Sequence, residues 1–193
     1  WVTTGDKTRL LAREAAGRFG GAAAASQLIE VDATQRFQTM AGFGASITDA
    51  SAWLMRNRLG DAQREALLQE LFGRGEGGLG MDFTRLTIGA SDFSRSHYSL
   101  NDRPAGQTDL PLAHFSIEPN RADVLPVVQR ARAINPQLSV MASPWSAPAW
   151  MKQNDSLIKG ALRPDMHGVF ADYLVRYVQA YAAEGVPIFA LTL

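Results

Sequence analysis

The sequence predicts an α/β fold in which parallel strands are covered by helices, and three observations carry that expectation. Apolar runs such as FTRLTIGA (83–90) and IFALTL (188–193) alternate along the chain with helical patterns. Near-continuous apolar strands of this kind are buried on both faces, as in sheets whose crossover connections are helices. Polar and aromatic residues then collect just after the apolar runs: Asp49, Asp92, and Trp145 with Trp150. A (β/α) barrel and an open doubly wound sheet both fit the alternation. No G-x-G-x-x-G opens a helix after a strand and no P-loop is present, so nucleotide-binding open sheets lose weight. The clustering at strand C-termini favours the barrel, whose active sites are built on that face.

Taken in order, WVTT (1–4) and SQLIEVDA (26–33) read as two short strands separated by an Ala/Gly-rich segment. In RFQTMAGFGASITDASAWL (36–54) an apolar stretch runs into Gly42 and Gly44, and Thr48-Asp49 can cap a helix beginning near Ala50. DAQREALLQELFG (61–73) is a second helix, with Asp61 as its cap and Ala66, Leu67, Leu71 and Phe72 on one face. Four closely spaced glycines from Gly73 to Gly78 end it. MDFTRLTIGASDFS (81–94) is a strand carrying Asp92 at its C-terminal end, followed by an irregular polar loop from Arg95 to Glu118. Loops of that length in compact domains are usually functional or disordered. NRADVLPVVQRARAIN (120–135) is helical, with Pro126 tolerable only near the first turn. QLSVMASPWSAPAWMK (137–152) is a strand that ends in prolines and tryptophans. The last helix has Phe170, Leu174, Tyr177, Val178 and Tyr181 as its apolar stripe and Gly185 as its C′ residue, and VPIFALTL closes the chain as a strand.

Composition excludes several function classes. Hydrophobic residues make up 46% and charged residues 20%, which is ordinary for a globular protein. The 19 basic and 19 acidic residues cancel, and no run of five like charges occurs, so nothing electrostatic points to nucleic acid. No stretch approaches the about 20 apolar residues of a membrane span. Without cysteine there is no disulfide framework and no thiolate metal site. The three histidines lie far apart with no i, i+4 partner, and neither a metal nor another cofactor is expected. The chain begins at Trp1 without methionine and stops on a strand, so both ends read as cut.

Asp92, directly after an apolar strand, suits a carboxylate that accepts hydrogen bonds from substrate hydroxyls; the alternative is a loop carboxylate satisfied by backbone amides. Arg85 lies inside the same strand, where an unpaired charge is costly, and is expected to pair with a carboxylate. In SPWSAPAW (143–150) the prolines stiffen the strand exit and can hold Trp145 and Trp150 at the rim. Indole faces there suit the C–H faces of a sugar ring, and the indole N–H can donate to a hydroxyl. The alternative is a pair of large core residues. Lys152 and Asn154 add polar groups to the same rim. Asp49 reads more as a helix cap than as a substrate contact, and His97 and His114 as ordinary loop histidines. Glycoside hydrolysis normally takes two carboxylates, about 5 Å apart in a retaining enzyme. The residues alone nominate one, Asp92.

Four stretches, FQTMAGFGASITDASA (37–52), RLTIGASDFS (85–94), YSLND (98–102) and ASPWSAPAWMK (142–152), resemble glycoside hydrolase family 30 in order and spacing. That family includes glucosylceramidase (acid β-glucosidase) and endo-β-1,6-glucanases. The resemblance implies a (β/α)8 TIM barrel with an attached β-sandwich. Residues 1–36 would supply N-terminal strands of the sandwich, and residues 37–193 the first half of the barrel, strands 1–4, stopping after strand 4. It implies retaining hydrolysis of β-linked glucose from a glucosylceramide-like glycolipid or a β-glucan. Asp92 would bind hydroxyls of the non-reducing glucose, with Trp145 in the same pocket and Arg85 on the strand leading to it. Trp150 and Asp49 complete the candidate substrate-binding set. Thr87 departs from the proline many relatives carry there. The acid/base glutamate of the family follows strand four in an Asn-Glu-Pro motif and the nucleophile follows strand seven. Both would lie beyond Leu193, so this stretch alone would be inactive. A non-catalytic carbohydrate-binding protein is the rival reading. Relatives are secreted, periplasmic or lysosomal, and the isolated stretch would self-associate through its exposed barrel edge.

Overall fold

Thr48, with a hydroxyl beside the first turn, starts the first helix as its sequence position requires. A computed structural model describes residues 2–18, 20, 27 and 29–193 of the chain. Two units result, Trp1–Thr39 and Met40–Leu193. In the first, Val2 and Ala12 pair in an antiparallel bridge around a turn that Asp6 organises. Hydrogen bonds from the Thr4 hydroxyl, and then from the Thr8 amide and hydroxyl, hold the Asp6 carboxyl down at about 2. Trp1 of the expected WVTT strand, and Ser26 and Leu28 of the expected SQLIEVDA strand, lie outside the described residues. Ile29 and Val31 are 88% and 84% exposed and belong to no ladder among the described residues. A β-pattern needs a neighbouring strand to accept its hydrogen bonds, and none lies beside them there.

The second unit is built on a four-stranded parallel sheet. Its elements are β1 (Gly44–Ser46), α1 (Asp49–Asn57), α2 (Asp61–Phe72), β2 (Phe83–Ile88), α3 (Glu118–Arg121), α4 (Val124–Ile134), β3 (Ser139–Pro144), α5 (His167–Ala183) and β4 (Ala190–Leu191). Sheet order is β1-β2-β3-β4, identical to chain order. The register sets Ser46 beside Arg85, Arg85 beside Met141, and Met141 beside Ala190. Phe189 N–H and Thr192 N–H donate to the Val140 and Ala142 carbonyls, extending the last pairing on both sides of β4.

Alternation along each strand separates two faces. Thr84, Leu86 and Ile88 of β2 and Val140 and Ala142 of β3 are buried among the helices. Leu68 and Phe72 of α2, Val127, Val128 and Ala131 of α4, and Tyr173, Tyr177 and Tyr181 of α5 join them in one core. Phe83, Arg85, Met141 and Ser143 occupy the other face and are half-buried. There Phe83 meets Phe189 edge to face, with ring centres 5.7 Å apart.

The helices follow their sequence signals with four adjustments. Thr48 Oγ1 accepts from the Ser51 amide and Ser51 Oγ accepts from the Thr48 amide, a reciprocal cap. At α2 the cap is Gly60, whose N–H donates to Gln63 Oε1; Asp61 is already the first helical residue and pairs with Arg64. The face of α2 turned inward centres on Leu68 and Phe72, leaving Ala66 exposed. The helix expected across 120–135 is interrupted between α3 and α4. Pro126 has no N–H to offer the Ala122 carbonyl four residues back and crowds it, so the helix has to restart. In α5 Tyr173 is fully buried beside the expected stripe, because the long loop packs on it: Tyr173 Oη accepts from the Leu100 amide, and Phe115 sits edge-on at 5.4 Å.

The segment between β2 and α3 carries no regular element yet is not loose. Leu100, Leu112 and Ile117 are buried in it, and Asp109 accepts from the Ala113 and His114 amides and from Asn101 Nδ2. Burial pushes the Asp109 carboxyl up, and those hydrogen bonds outweigh it, leaving it lowered.

Candidate active site

The C-terminal ends of β2 and β3 open into a cleft of about 410 Å³. Gly89 makes the exit from β2 possible. Its φ is +81°, and a Cβ there would come within 3.0 Å of the Tyr98 carbonyl oxygen, which accepts the Ala90 amide. This close return brings Asp92, His97 and Tyr98 to one wall of the cleft. Trp145 and Ser146, at the exit from β3, form the adjoining wall, and Leu157, Ile158 and Lys159 close it.

Asp92 is exposed, and among the described residues its carboxylate accepts no hydrogen bond. The neighbouring amides are served by hydroxyls instead: Ser94 Oγ accepts from the Ser91 amide, and Ser91 Oγ from the Phe93 amide. Trp145 is 52% exposed and presents its ring to the cleft. Arg85 does not find the expected carboxylate among the described residues. Its Nε donates to Ser46 Oγ at 3.0 Å, and its guanidinium carbon lies 5.8 Å from the centre of the Trp145 ring. A half-buried arginine on an indole face gains about 0.5–1 kcal/mol and fixes the ring.

Asp49 and Trp150 lie away from this cleft. Asp49 is 3% exposed, and its Oδ1 accepts from both the amide and the Nε of Arg95, each at 3.1 Å. Arg95 continues to Asp123 Oδ2 at 3.3 Å and stacks over Trp53. The hydrogen bond to Asp49, more than the Coulomb attraction of Asp49 and Asp123, raises the Arg95 pKa against its partial desolvation. Since Ala50 N–H also donates to the Phe93 carbonyl, the start of α1 holds the loop that carries Asp92. Trp150 is 4% exposed in a 3₁₀ turn, Ala149–Met151. Its indole N–H, expected at the rim, is shared by the carbonyl and Oδ1 of Asn101 at 2.9 and 3.0 Å, because a buried indole needs an acceptor. Asn154 turns to the Ile158 carbonyl, and Lys152 is buried behind the rim.

Two further residues of the cleft drew little weight from the sequence: His97 as a loop histidine that could shape a cleft, and Tyr98 as part of YSLND. His97 gave no spacing signal beyond following Asp92 by five positions. Tyr98 is anchored by Asn120 Nδ2, which donates to its hydroxyl at 3.2 Å; burial, assisted by the negative charge of Asp49, pushes its pKa up to about 12. The cleft therefore offers an indole face, neutral hydroxyl groups and, among the described residues, an unpaired carboxylate, groups that can meet an apolar ring face and hydrogen-bond donors together. Asp92 is the one carboxylate lining it among the described residues.

A parallel sheet laid down in chain order, helices on one face and a cleft at the strand C-termini define the first half of a (β/α)8 TIM barrel. The chain belongs to glycosyl hydrolase family 30, whose TIM-barrel domain model matches residues 40–193. It is 36% identical over 162 residues to an endo-1,6-β-D-glucanase of Neurospora crassa, covering 82% of this chain and 33% of that protein. It is 30% identical over 172 residues to the lysosomal acid glucosylceramidase of Mus musculus, covering 86% and 32%. The solved structure of SrfJ from Salmonella typhimurium superposes with a TM-score of 0.73 at 30% identity, covering 80% of this chain and 34% of that one. The chain thus spans about a third of the length of these relatives. Among the described residues no helix is long and apolar enough to cross a membrane.

Proposed function

We propose that this protein is a retaining β-glycosidase that removes or cleaves β-linked glucose in a glucan or a glucosylceramide-like glycolipid. The single observation that carries the reading is that Asp92 and Trp145, from the ends of neighbouring strands, face one cleft, with the Asp92 carboxylate unclaimed among the described residues. On this reading Trp145 stacks on the glucose ring, Asp92 accepts from its hydroxyls, and Arg85 fixes the indole. Asp49 and Trp150 act from behind, holding the two loops that form the walls. The leaving-group acid and the nucleophile are glutamates C-terminal to Leu193, one protonating the departing oxygen while the other attacks the anomeric carbon. Residues 1–36 belong to an accompanying β-sandwich. The names of the glucanase and glucosylceramidase relatives support both substrate classes, and the lysosomal relative supports action outside the cytoplasm.

The test is hydrolysis by the full-length polypeptide of an aryl β-glucoside, a β-1,6-glucan and glucosylceramide, with product configuration read by NMR. Retained configuration on one of the three is expected, and inverted product or no turnover on all three would overturn the reading. A second reading, a carbohydrate-binding protein without turnover, uses the same indole face and Asp92 carboxylate of the cleft. Glucan binding by calorimetry with no hydrolysis would select it.

The 193-residue stretch produced by itself is expected to self-associate. Phe43 and Phe189 are 75% and 69% exposed, and β1 and β4 each leave one edge unpaired among the described residues. Light scattering should report a mass above 21.0 kDa. A monomer that melts cooperatively would contradict this expectation.

A further inference from the structure

Lys152 sits behind the wall of the cleft formed by Ser146 and Leu157. It is 8% exposed, and its Nζ meets only neutral oxygens, Ser146 Oγ at 2.9 Å and the Leu157 carbonyl at 3.2 Å. Among the described residues no carboxylate pairs with it. A buried ammonium without a counter-charge is costly, and burial correspondingly lowers its pKa. The two oxygens it binds belong to the two segments that together line the cleft opposite Asp92: the β3 exit bearing Trp145, and the loop 153–161.

That loop has a firm neck and a lightly held tip. At the neck, Lys152 and Leu162 form an antiparallel bridge, Gln153 N–H donates to the Ala161 carbonyl, and Arg163 N–H donates to the Met151 carbonyl. Beyond it, Asp155 and Lys159 adopt left-handed backbone at φ 45° and 53°, and Ile158 is 57% exposed. A second cavity of about 270 Å³, lined by Trp145, Ser146, Lys152, Leu157, Lys159 and Phe170, separates part of the loop from the β3 exit, so packing does not fix the tip on that side. Asp155 accepts from the Gly106 amide and Asn154 Nδ2 donates to the Ile158 carbonyl, but neither bond ties the tip to the β3 exit.

We propose that Lys152 is a positioning residue that ties the 153–161 loop to Ser146, thereby setting the width of the cleft and its fit to a ring stacked on Trp145. The specificity part of the proposal rests on the sugar-binding reading above; the tether does not. Lys152→Met keeps the length of the side chain and removes its donors. Losing a hydrogen bond from a charged donor should raise the open population of the tip, and with it trypsin cleavage after Lys159, by about tenfold. In the full-length polypeptide, KM for an aryl β-glucoside should rise by about tenfold with kcat held within about twofold. The melting temperature should stay near that of the wild type, and Lys152→Arg, which restores donors, should recover much of both effects.

Unchanged cleavage after Lys159 in Lys152→Met would overturn the tether. So would faster cleavage accompanied by a matching fall in melting temperature, since that reports general destabilisation. Faster cleavage with KM unchanged would overturn the role in cleft width. Wild-type protein that turns over no β-glucoside would sink the glycosidase reading, and cleavage after Lys159 would then decide the tether by itself.

Discussion

Asp92→Ala is expected to lower kcat/KM of the full-length polypeptide on an aryl β-glucoside by two to four orders of magnitude while leaving its stability intact. Two hydrogen bonds from substrate hydroxyls to a charged acceptor, at about 1.5–3 kcal/mol each, amount to about 3–6 kcal/mol, which is that range in rate. Stability should be spared because the carboxylate accepts nothing among the described residues, so its removal orphans no donor. Exposed substitutions of this sort usually stay within about 0.5 kcal/mol. Asp92→Asn keeps one acceptor without the charge and should fall between. Steady-state kinetics and urea denaturation on the same preparations check both halves. An Asp92→Ala variant within tenfold of wild-type kcat/KM would remove this carboxylate from the sugar pocket.

Asp49→Ala should show the opposite order of effects, with stability lost first. The buried Asp49 carboxylate receives both the amide and the guanidinium of Arg95, and the variant leaves both without that acceptor. Breaking a buried ion pair costs about 3–5 kcal/mol, and Arg95 is 44% exposed and can rehydrate. The expected loss is therefore about 2–3 kcal/mol. Because Arg95 belongs to the same loop as Asp92, KM should also rise in the protein that remains folded. Asp49→Asn, which preserves an oxygen acceptor, should lose less. Urea unfolding midpoints decide the matter. A stability equal to the wild type would show that Asp49 is not what holds the loop.

Much of the barrel half was legible in the sequence because its signals are local. The cap at Thr48, the apolar run 83–88 and the stop at Gly185 each arise within a few residues of where they act. β1 was not legible. Gly-Ala-Ser carries no strand preference, and Gly44 is required because a Cβ would collide with the Phe83 carbonyl oxygen on β2, a constraint from 39 residues away. The site divides in the same way. Asp92 and Trp145 show themselves through position at strand ends and through the family motifs. Trp150 and Asp49 have partners, Asn101 and Arg95, far along the chain, so nothing nearby reveals that they face inward. Lys152 read as a rim residue for a different reason: its partners Ser146 and Leu157 are near in sequence, but irregular turns with no period bring them to it.

The identity of sheet order and chain order has a kinetic consequence. Each strand after β1 docks on the strand made just before it, across a connection that already contains its covering helix. No strand has to wait for a later one to be inserted between it and its neighbour, so this half can grow from its N-terminal side as the polypeptide leaves the ribosome. The loop-closure entropy is met one crossover at a time rather than all at once, which keeps the search short for a topology whose parallel pairings are otherwise slow to find. The growing edge is the vulnerable point throughout. At every stage it is the newest strand that presents unpaired amides, and after Leu191 that strand is β4.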